Sequence, residues 1–144
     1  NSLLLGCAMV GMNVRIATPP GYEPDAEIVK QAQEIAGDRT EVILTQDPIE
    51  AAKGSFVLYT DVWASMGQES LADARMPIFQ PYQVNENLLH VANADVIVLH
   101  CLPAHREEEI TDAAIEGPQS RVWDQAENRM HAQKALLVSL LGAD

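Results

Sequence analysis

Three segments of the sequence lead into polar residues that can take part in chemistry. Asp61 follows the run SFVLYT, Cys101 follows DVIVLH, and Arg129 lies in the first turns of the helix predicted after SRVW. All three runs are predicted to be strands of a parallel sheet. Ligands bind outside the carboxyl ends of such strands, because loops and helix N-termini converge there. The sequence therefore predicts a ligand site that combines a carboxylate, a thiol and a guanidinium.

Each of these residues also has a purely structural interpretation. Asp61 can cap a turn, Cys101 can act as a small buried hydrophobe, and Arg129 can be a solvated helix charge paired with a carboxylate. His100 and His105 flank a proline at a spacing that is poor for a pair of metal ligands. The phosphate-binding patterns GxxxxGK and GxGxxG do not occur in the sequence. We therefore predict no metal and no cofactor.

Strand and helix patterns alternate along the chain and provide the framework for these residues. Runs rich in β-branched residues predict strands, buried on both faces, at 13–19, 41–45, 55–60, 95–100 and 120–124. Helical patterns cover 24–36, 48–54, 85–93 and 124–142. Gly37 is predicted as a C-cap, and Asp124 with Glu127 as a capping box that opens the last helix. Residues 67–83 are the longest stretch predicted to be irregular.

The alternation predicts the α/β class, with a Rossmann-like doubly wound parallel sheet covered by helices on both faces. A length of 144 residues is typical of one soluble domain with its own core. The net charge of -12 disfavours nucleic acid and anionic membranes as partners. No apolar stretch is long enough to cross a bilayer. Two cysteines far apart in the sequence predict free thiols in a reducing, cytoplasmic setting.

Three motifs in this order carry a family resemblance: DVWASMGQE, HCLPAHR and DQAENRMHAQKALL. They resemble the second half of ornithine carbamoyltransferases, and ATPPGYEPD fits the same pattern. The resemblance implies that residues 1–144 form the C-terminal, ornithine-binding domain. It also implies the reaction of the parent enzyme, in which carbamoyl phosphate carbamoylates the δ-amine of L-ornithine to give L-citrulline and phosphate. The enzyme would serve arginine biosynthesis or the arginine deiminase pathway.

The resemblance implies a substrate-binding role for the segment that follows SFVLYT. Asp61 matches an aspartate that faces the α-ammonium of ornithine, and this charge-assisted contact decides which end of the substrate enters. Ser65 and Met66 match residues of a loop that closes over the amino acid. The resemblance thus implies that all three residues hold ornithine.

The resemblance places the reaction itself beside HCLP. Cys101 and Leu102 match the pair next to the side-chain amine and the reacting carbonyl, and Arg129 matches an arginine that contacts the carbamoyl group. The thiol need not be a nucleophile, because phosphate already activates the acyl carbon, and it can instead orient the amine by hydrogen bonding. Asp61, Cys101 and Arg129 are therefore the predicted catalytic residues. Pro103 is predicted to stiffen the loop that presents them.

Departures from the family pattern also shape what is expected. Glu107 stands where the family generally has glycine, which puts the local loop conformation in question. The family patterns Ser-x-Arg-Thr-Arg and His-Pro-x-x-Gln do not occur here, so carbamoyl phosphate is expected to bind mainly through an N-terminal domain. The chain is expected to begin inside its domain, without the first strand. We expect the isolated chain to be inactive and the full-length parent to be a homotrimer built largely through the other domain.

Alternative functions differ in their class or in their substrate. The chain could be a non-catalytic amino acid-binding module, or part of a carbamoyltransferase for putrescine or N-acetylornithine. The DVWASMG segment favours ornithine, because Asp61 needs a substrate that carries an α-ammonium. A generic nucleotide-binding domain is weakly supported, since the glycine-rich phosphate turn does not occur.

Overall fold

The computed structural model describes residues 1–64 and 72–142. The described residues form four strands, β1 (Val14–Ala17), β2 (Val42–Thr45), β3 (Val57–Thr60) and β4 (Ile97–His100). They also form seven α-helices, α1 (Ser2–Val10), α2 (Ala26–Ala36), α3 (Pro48–Ala52), α4 (Ala72–Phe79), α5 (Glu86–Val91), α6 (Asp112–Glu116) and α7 (Val122–Leu141), and a 3-10 helix at Gln80–Tyr82. No helix among these residues combines the length and apolar character that crossing a bilayer requires. The chain divides into two compact units, Asn1–Lys53 and Gly54–Asp144.

The unit Asn1–Lys53 is built on the parallel pair of β1 and β2, whose register runs from Val14 beside Val42 to Ala17 beside Thr45. Helix α2 begins where the Asp25 side chain accepts hydrogen bonds from two backbone N–H groups of its first turn. Its apolar face packs against α1. The buried side chains of this core are Leu4, Ala8, Val29, Ala32 and Ala36.

The unit Gly54–Asp144 is built on the parallel pair of β3 and β4, which brings Thr60 beside His100 at the carboxyl ends of both strands. On the other side of β4, Val98 forms an isolated parallel bridge with Ser120. Helix α7 begins directly after this bridge and packs on β4. This arrangement places the first turns of α7 beside the loop that follows β4.

The α/β class with parallel strand pairing is confirmed, and four predicted strands and four predicted helices occur close to their expected positions. The strand predicted at 120–124 is wrong: Ser120 makes a single bridge, and Gln125 N–H already donates to Arg121 O. Helix α7 therefore begins at Val122 with Arg121 as its N-cap. Asp124 lies inside its first turn, so the predicted capping box is also wrong.

The stretch predicted to be irregular at 67–83 contains α4 and the 3-10 helix. From the sequence alone, the prolines at 77 and 81 disfavour a regular helix. In the structure Pro77 lies inside α4, where it leaves one backbone carbonyl without its helical donor. Pro81 lies in the first turn of the 3-10 helix, where a missing N–H has no cost.

Candidate functional site

Asp61 and Cys101 lie next to each other because of the register of β3 and β4. Thr60 and His100 are paired neighbours at the ends of these parallel strands, so the chain delivers Asp61 and Cys101 side by side. The Asp61 carboxylate lies close enough to the Cys101 thiol to contribute to raising its pKa. Asp61 also accepts a hydrogen bond from Val62 N–H at 2.8 Å, which orients its carboxylate at the strand end.

Helix α7 adds Arg129 to this pair. Its Nη1 donates to the carbonyl oxygen of Cys101 at 3.0 Å. Arg129 is exposed, so the guanidinium contacts the loop while the rest of the group faces solvent. The structure therefore brings Asp61, Cys101 and Arg129 to one place. Asp61 and Cys101 follow predicted strands, whereas Arg129 lies on α7, which replaces the strand predicted at 120–124.

His100 also hydrogen-bonds the backbone of this loop, at Leu102, one residue after the carbonyl that Arg129 contacts. Leu102 N–H donates to His100 Nδ1 at 2.9 Å, and Leu102 has a left-handed φ of 56°. Left-handed backbone is strained for a non-glycine residue and persists only where the surroundings impose it. The Leu102–Pro103 peptide bond is cis. The path of the chain through Cys101 and Leu102 is thus defined by two hydrogen bonds, one donated to the His100 imidazole and one donated by the Arg129 guanidinium.

A buried pair beneath this loop was not predicted from the sequence. His100 and Glu109 are both 0% exposed, and His100 Nε2 lies 3.0 Å from Glu109 Oε1. Since Nδ1 accepts from Leu102 N–H, the ring proton is on Nε2 and is donated to the carboxylate. His105 N–H donates to the same oxygen at 2.6 Å. Burial acts to raise the pKa of Glu109, but these hydrogen bonds hold it below its ordinary value.

The environment of Cys101 favours its protonated form. Burial is the main cause that raises the pKa of the Cys101 thiol, and the Asp61 carboxylate adds to it, while the Tyr59 hydroxyl acts in the opposite direction. The S–H group is therefore present at neutral pH, and the Asp61 carboxylate is a neighbouring acceptor. Tyr59 was also missed in the sequence. The signal was available, because residues two apart on a strand share a face, and Tyr59 lies two before Asp61.

Ser65 and Met66 lie outside the described residues. The segment that leads toward them is anchored in the described part, since Arg75 Nη1 donates to Trp63 O at 2.9 Å. Trp63 also packs against Phe79 with ring centroids 6.0 Å apart. Helix α4 thus contacts the chain just after Asp61.

Glu107 occupies the position where the resemblance places a glycine. Its φ is 63°, a left-handed value that glycine adopts at little cost. The Glu107 carboxylate accepts a hydrogen bond from Asp112 N–H at 2.8 Å, at the start of α6. The loop therefore keeps a glycine-like backbone with a glutamate, whose side chain caps the neighbouring helix.

One cluster of potential metal ligands occurs in residues 1–64 and 72–142. The ligand atoms of His105, Glu108 and Glu109 lie within 4.8 Å of one another. One oxygen of Glu109 is already engaged by His100 and by the His105 backbone. His100 itself cannot ligate a metal in this arrangement, because both of its ring nitrogens are hydrogen-bonded. The described geometry does not assign this cluster a role in the site.

Residues 1–140 match the family model of the aspartate/ornithine carbamoyltransferase Asp/Orn binding domain. The chain belongs to this family. The ornithine carbamoyltransferase of Nostoc punctiforme is 74% identical over 144 residues, which are 100% of this chain and 47% of the relative. That of Synechocystis is 70% identical over 142 residues, 99% of this chain and 46% of the relative.

Solved structures of the family have the same fold. The ornithine carbamoyltransferase of Gloeobacter violaceus superposes with a TM-score of 0.89 at 55% identity, covering 98% of this chain and 47% of that chain. The Pyrococcus furiosus enzyme has a TM-score of 0.89 at 51% identity, covering 95% and 44%. The predicted family and the Rossmann-like α/β class are thereby confirmed. The chain spans about half the length of the curated relatives it matches.

Proposed function

We propose that this chain is the ornithine-binding half of an ornithine carbamoyltransferase. The proposal is supported above all by the convergence of Asp61, Cys101 and Arg129, linked through the β3–β4 register and the 3.0 Å contact of Arg129 with Cys101 O. It is also supported by the names of the relatives that match the chain over its full length. The substrates are L-ornithine and carbamoyl phosphate, and the products are L-citrulline and phosphate.

Carbamoyl transfer needs a neutral amine beside an activated carbonyl. The δ-nitrogen of ornithine forms the new C–N bond, the C–O bond to phosphate breaks, and the proton that the amine loses leaves with the phosphate. Cys101 orients this amine, with a protonated thiol that is not itself a nucleophile. The Leu102 carbonyl lies in the same loop as a second acceptor for the amine hydrogens. Arg129 offers its remaining N–H donors to the carbonyl oxygen or to the leaving phosphate.

Substrate selection is assigned to Asp61, Ser65 and Met66. The Asp61 carboxylate pairs with the α-ammonium, while Ser65 and Met66 close over the amino acid. Putrescine has no α-substituents, and N-acetylornithine has no α-ammonium, so neither substrate offers Asp61 the charge-assisted contact. The expected order of kcat/KM therefore has ornithine first.

The test is citrulline formation by the complete protein that carries this chain. Cys101→Ala should lower kcat by about 100-fold, because the amine loses a group that holds it in the attacking orientation. Cys7→Ala provides the matched control, because it removes a thiol from the unit Asn1–Lys53 and should leave kcat within about twofold. Ornithine binding without citrulline formation would instead indicate the non-catalytic binding module.

Asp61→Ala tests the assignment of the substrate. We expect kcat/KM for ornithine to fall by about 100-fold and that for putrescine to fall much less, because only ornithine carries the α-ammonium. Equal losses for both amines would contradict the pairing of Asp61 with the α-ammonium. A wild-type preference for putrescine or N-acetylornithine would reassign the substrate.

The family resemblance also supports a proposal for the rest of the complete protein. We propose that carbamoyl phosphate binds mainly through a domain outside residues 1–144, that the complete protein is a cytoplasmic homotrimer, and that residues 1–144 alone are inactive. The molar mass of the complete protein by light scattering tests the trimer. A steady-state rate from purified residues 1–144 would contradict the last part of the proposal.

A further inference from the structure

Tyr59 and Gln125 extend the site beyond the residues considered so far. Tyr59 and Asp61 share a face at the end of β3, with Cys101 across from them after β4. Gln125 and Arg129 are one turn apart on α7 and therefore share a face of that helix. Gln125 Nε2 lies 3.4 Å from Tyr59 Oη, and Arg129 contacts Cys101 O. The same face of α7 thus touches both strand ends.

The donor and acceptor groups of this cluster favour a single direction of hydrogen bonding. The Gln125 side chain approaches Tyr59 through its amide nitrogen, which only donates. At the other end, an ionised Asp61 only accepts. The Tyr59 hydroxyl and the Cys101 thiol lie between them, because Tyr59 pairs with Leu99 and Cys101 follows Leu99 by two residues, on the same face. Each of the two groups can donate one hydrogen and accept another. These donor and acceptor properties fit an arrangement in which the hydrogens point from Gln125 through Tyr59 and Cys101 to Asp61.

We propose that Tyr59 is a positioning residue for carbamoyl transfer: its hydroxyl, held by Gln125, donates to Sγ of Cys101 and directs the S–H toward Asp61. This inference rests on the proposed function. With its hydrogen committed to Asp61, the sulfur presents a lone pair to an N–H of the substrate amine. Without the Tyr59 hydroxyl the S–H can rotate, and the amine loses a fixed acceptor. The effect falls on kcat, because the partner of the α-ammonium is unchanged.

The charged and titratable neighbours of Cys101 come from three elements. Tyr59 and Asp61 face it from β3 and its end, Arg129 reaches its carbonyl from α7, and His100 precedes it on β4. Of these, the Tyr59 hydroxyl donates to the sulfur and stabilises the thiolate form. Its removal therefore shifts the pH midpoint of thiol alkylation upward.

The experiment uses the complete protein in a Cys7→Ser background, so that Cys101 is the thiol of this chain that reacts. Tyr59→Phe keeps the ring and removes only the hydroxyl. We expect kcat to fall about fivefold, as for the loss of one hydrogen bond, with KM for ornithine changed less than twofold. We also expect the midpoint of iodoacetamide alkylation of Cys101 to move to higher pH. Tyr22→Phe makes the same chemical change in the unit Asn1–Lys53 and should leave both readouts unchanged.

Gln125→Met is a second variant that removes the donor to Tyr59 and keeps the side-chain length. It should change kcat and the alkylation midpoint in the same directions as Tyr59→Phe, by smaller amounts. An active wild-type protein whose Tyr59→Phe variant keeps its kcat, or keeps its alkylation midpoint, overturns this inference alone. A wild-type protein that forms no citrulline overturns the proposed function and the positioning role with it.

Discussion

In the unit Asn1–Lys53 every fully buried side chain is apolar, whereas the described part of Gly54–Asp144 also buries His100, Glu109 and Gln83. The apolar core of the first unit joins two helices, and its packing is non-directional. The buried polar groups of the second unit hydrogen-bond the loop that follows β4. Gln83 Nε2, for example, donates to the carbonyl oxygens of Glu107 and Glu108. Burial therefore stabilises packing in one unit and defines a backbone path beside the candidate site in the other.

The largest expected effect comes from removing the buried carboxylate. Glu109→Ala leaves His100 Nε2–H and His105 N–H without their acceptor, so we expect the free energy of unfolding to fall by about 3–5 kcal/mol. Glu108→Ala changes the adjacent, half-buried glutamate and should cost no more than about 0.5 kcal/mol. Urea unfolding of both variants measures the difference. Equal costs would show that the buried carboxylate does not stabilise this unit, which would contradict the contrast between the two units.

An apolar truncation in the first unit should have the next largest effect. Leu4 is 1% exposed in the core of α1 and α2, so Leu4→Ala should cost about 2–4 kcal/mol through lost burial and the cavity that remains. Leu3→Ala, on the same helix at 51% exposure, is the matched control and should be nearly neutral. A cost for Leu4→Ala no larger than that for Leu3→Ala would show that this core is not what stabilises the unit.

Lowering the pH should reduce the stability of the unit Gly54–Asp144 gradually, and by less than the two substitutions above. The pKa of Glu109 is lowered in the folded state, so its contribution to stability is complete above its ordinary pKa of about 4.5 and is lost as the pH falls through the folded value. Unfolding midpoints between pH 7 and pH 3 should fall more steeply for the wild type than for Glu109→Gln, which has no carboxylate to protonate. Parallel curves would contradict this origin of the acid sensitivity.

The smallest effect tests the left-handed backbone at Glu107. Glu107→Gly and Glu107→Ala both remove the hydrogen bond to Asp112 N–H, so their difference isolates the φ of 63°. The glycine variant should be more stable than the alanine variant by about 1 kcal/mol. At Glu34 in α2 the order should reverse, because alanine is the better helix former. Thermal unfolding of the four variants checks both signs, and alanine above glycine at 107 would contradict the conformational argument.

Local patterns accounted for the positions of β1 to β4, since short apolar runs rich in β-branched residues favour strands. The prediction that these strands are buried on both faces is confirmed at some positions and wrong at others. Val98 is 0% exposed in β4, but Ile43 and Leu44 of β2 are 37% and 40% exposed. An apolar run reports the preference of its residues, whereas burial depends on what packs against each face. The segment 120–124 failed for a similar reason, because the packing of α7 on β4 competes with its strand propensity.

The sequence by itself determined the family motifs, the α/β class and the strand-end positions of Asp61 and Cys101, because these depend on residue type and short spacing. The tertiary structure alone decided the partners. His100 meets Glu109 nine residues later, Arg129 reaches Cys101 O across 28 positions, and Gln125 reaches Tyr59 across 66. These contacts follow from the β3–β4 register and from the packing of α7, which are long-range properties. Local propensity describes single elements, while the direction of a hydrogen bond is defined only when two elements have packed.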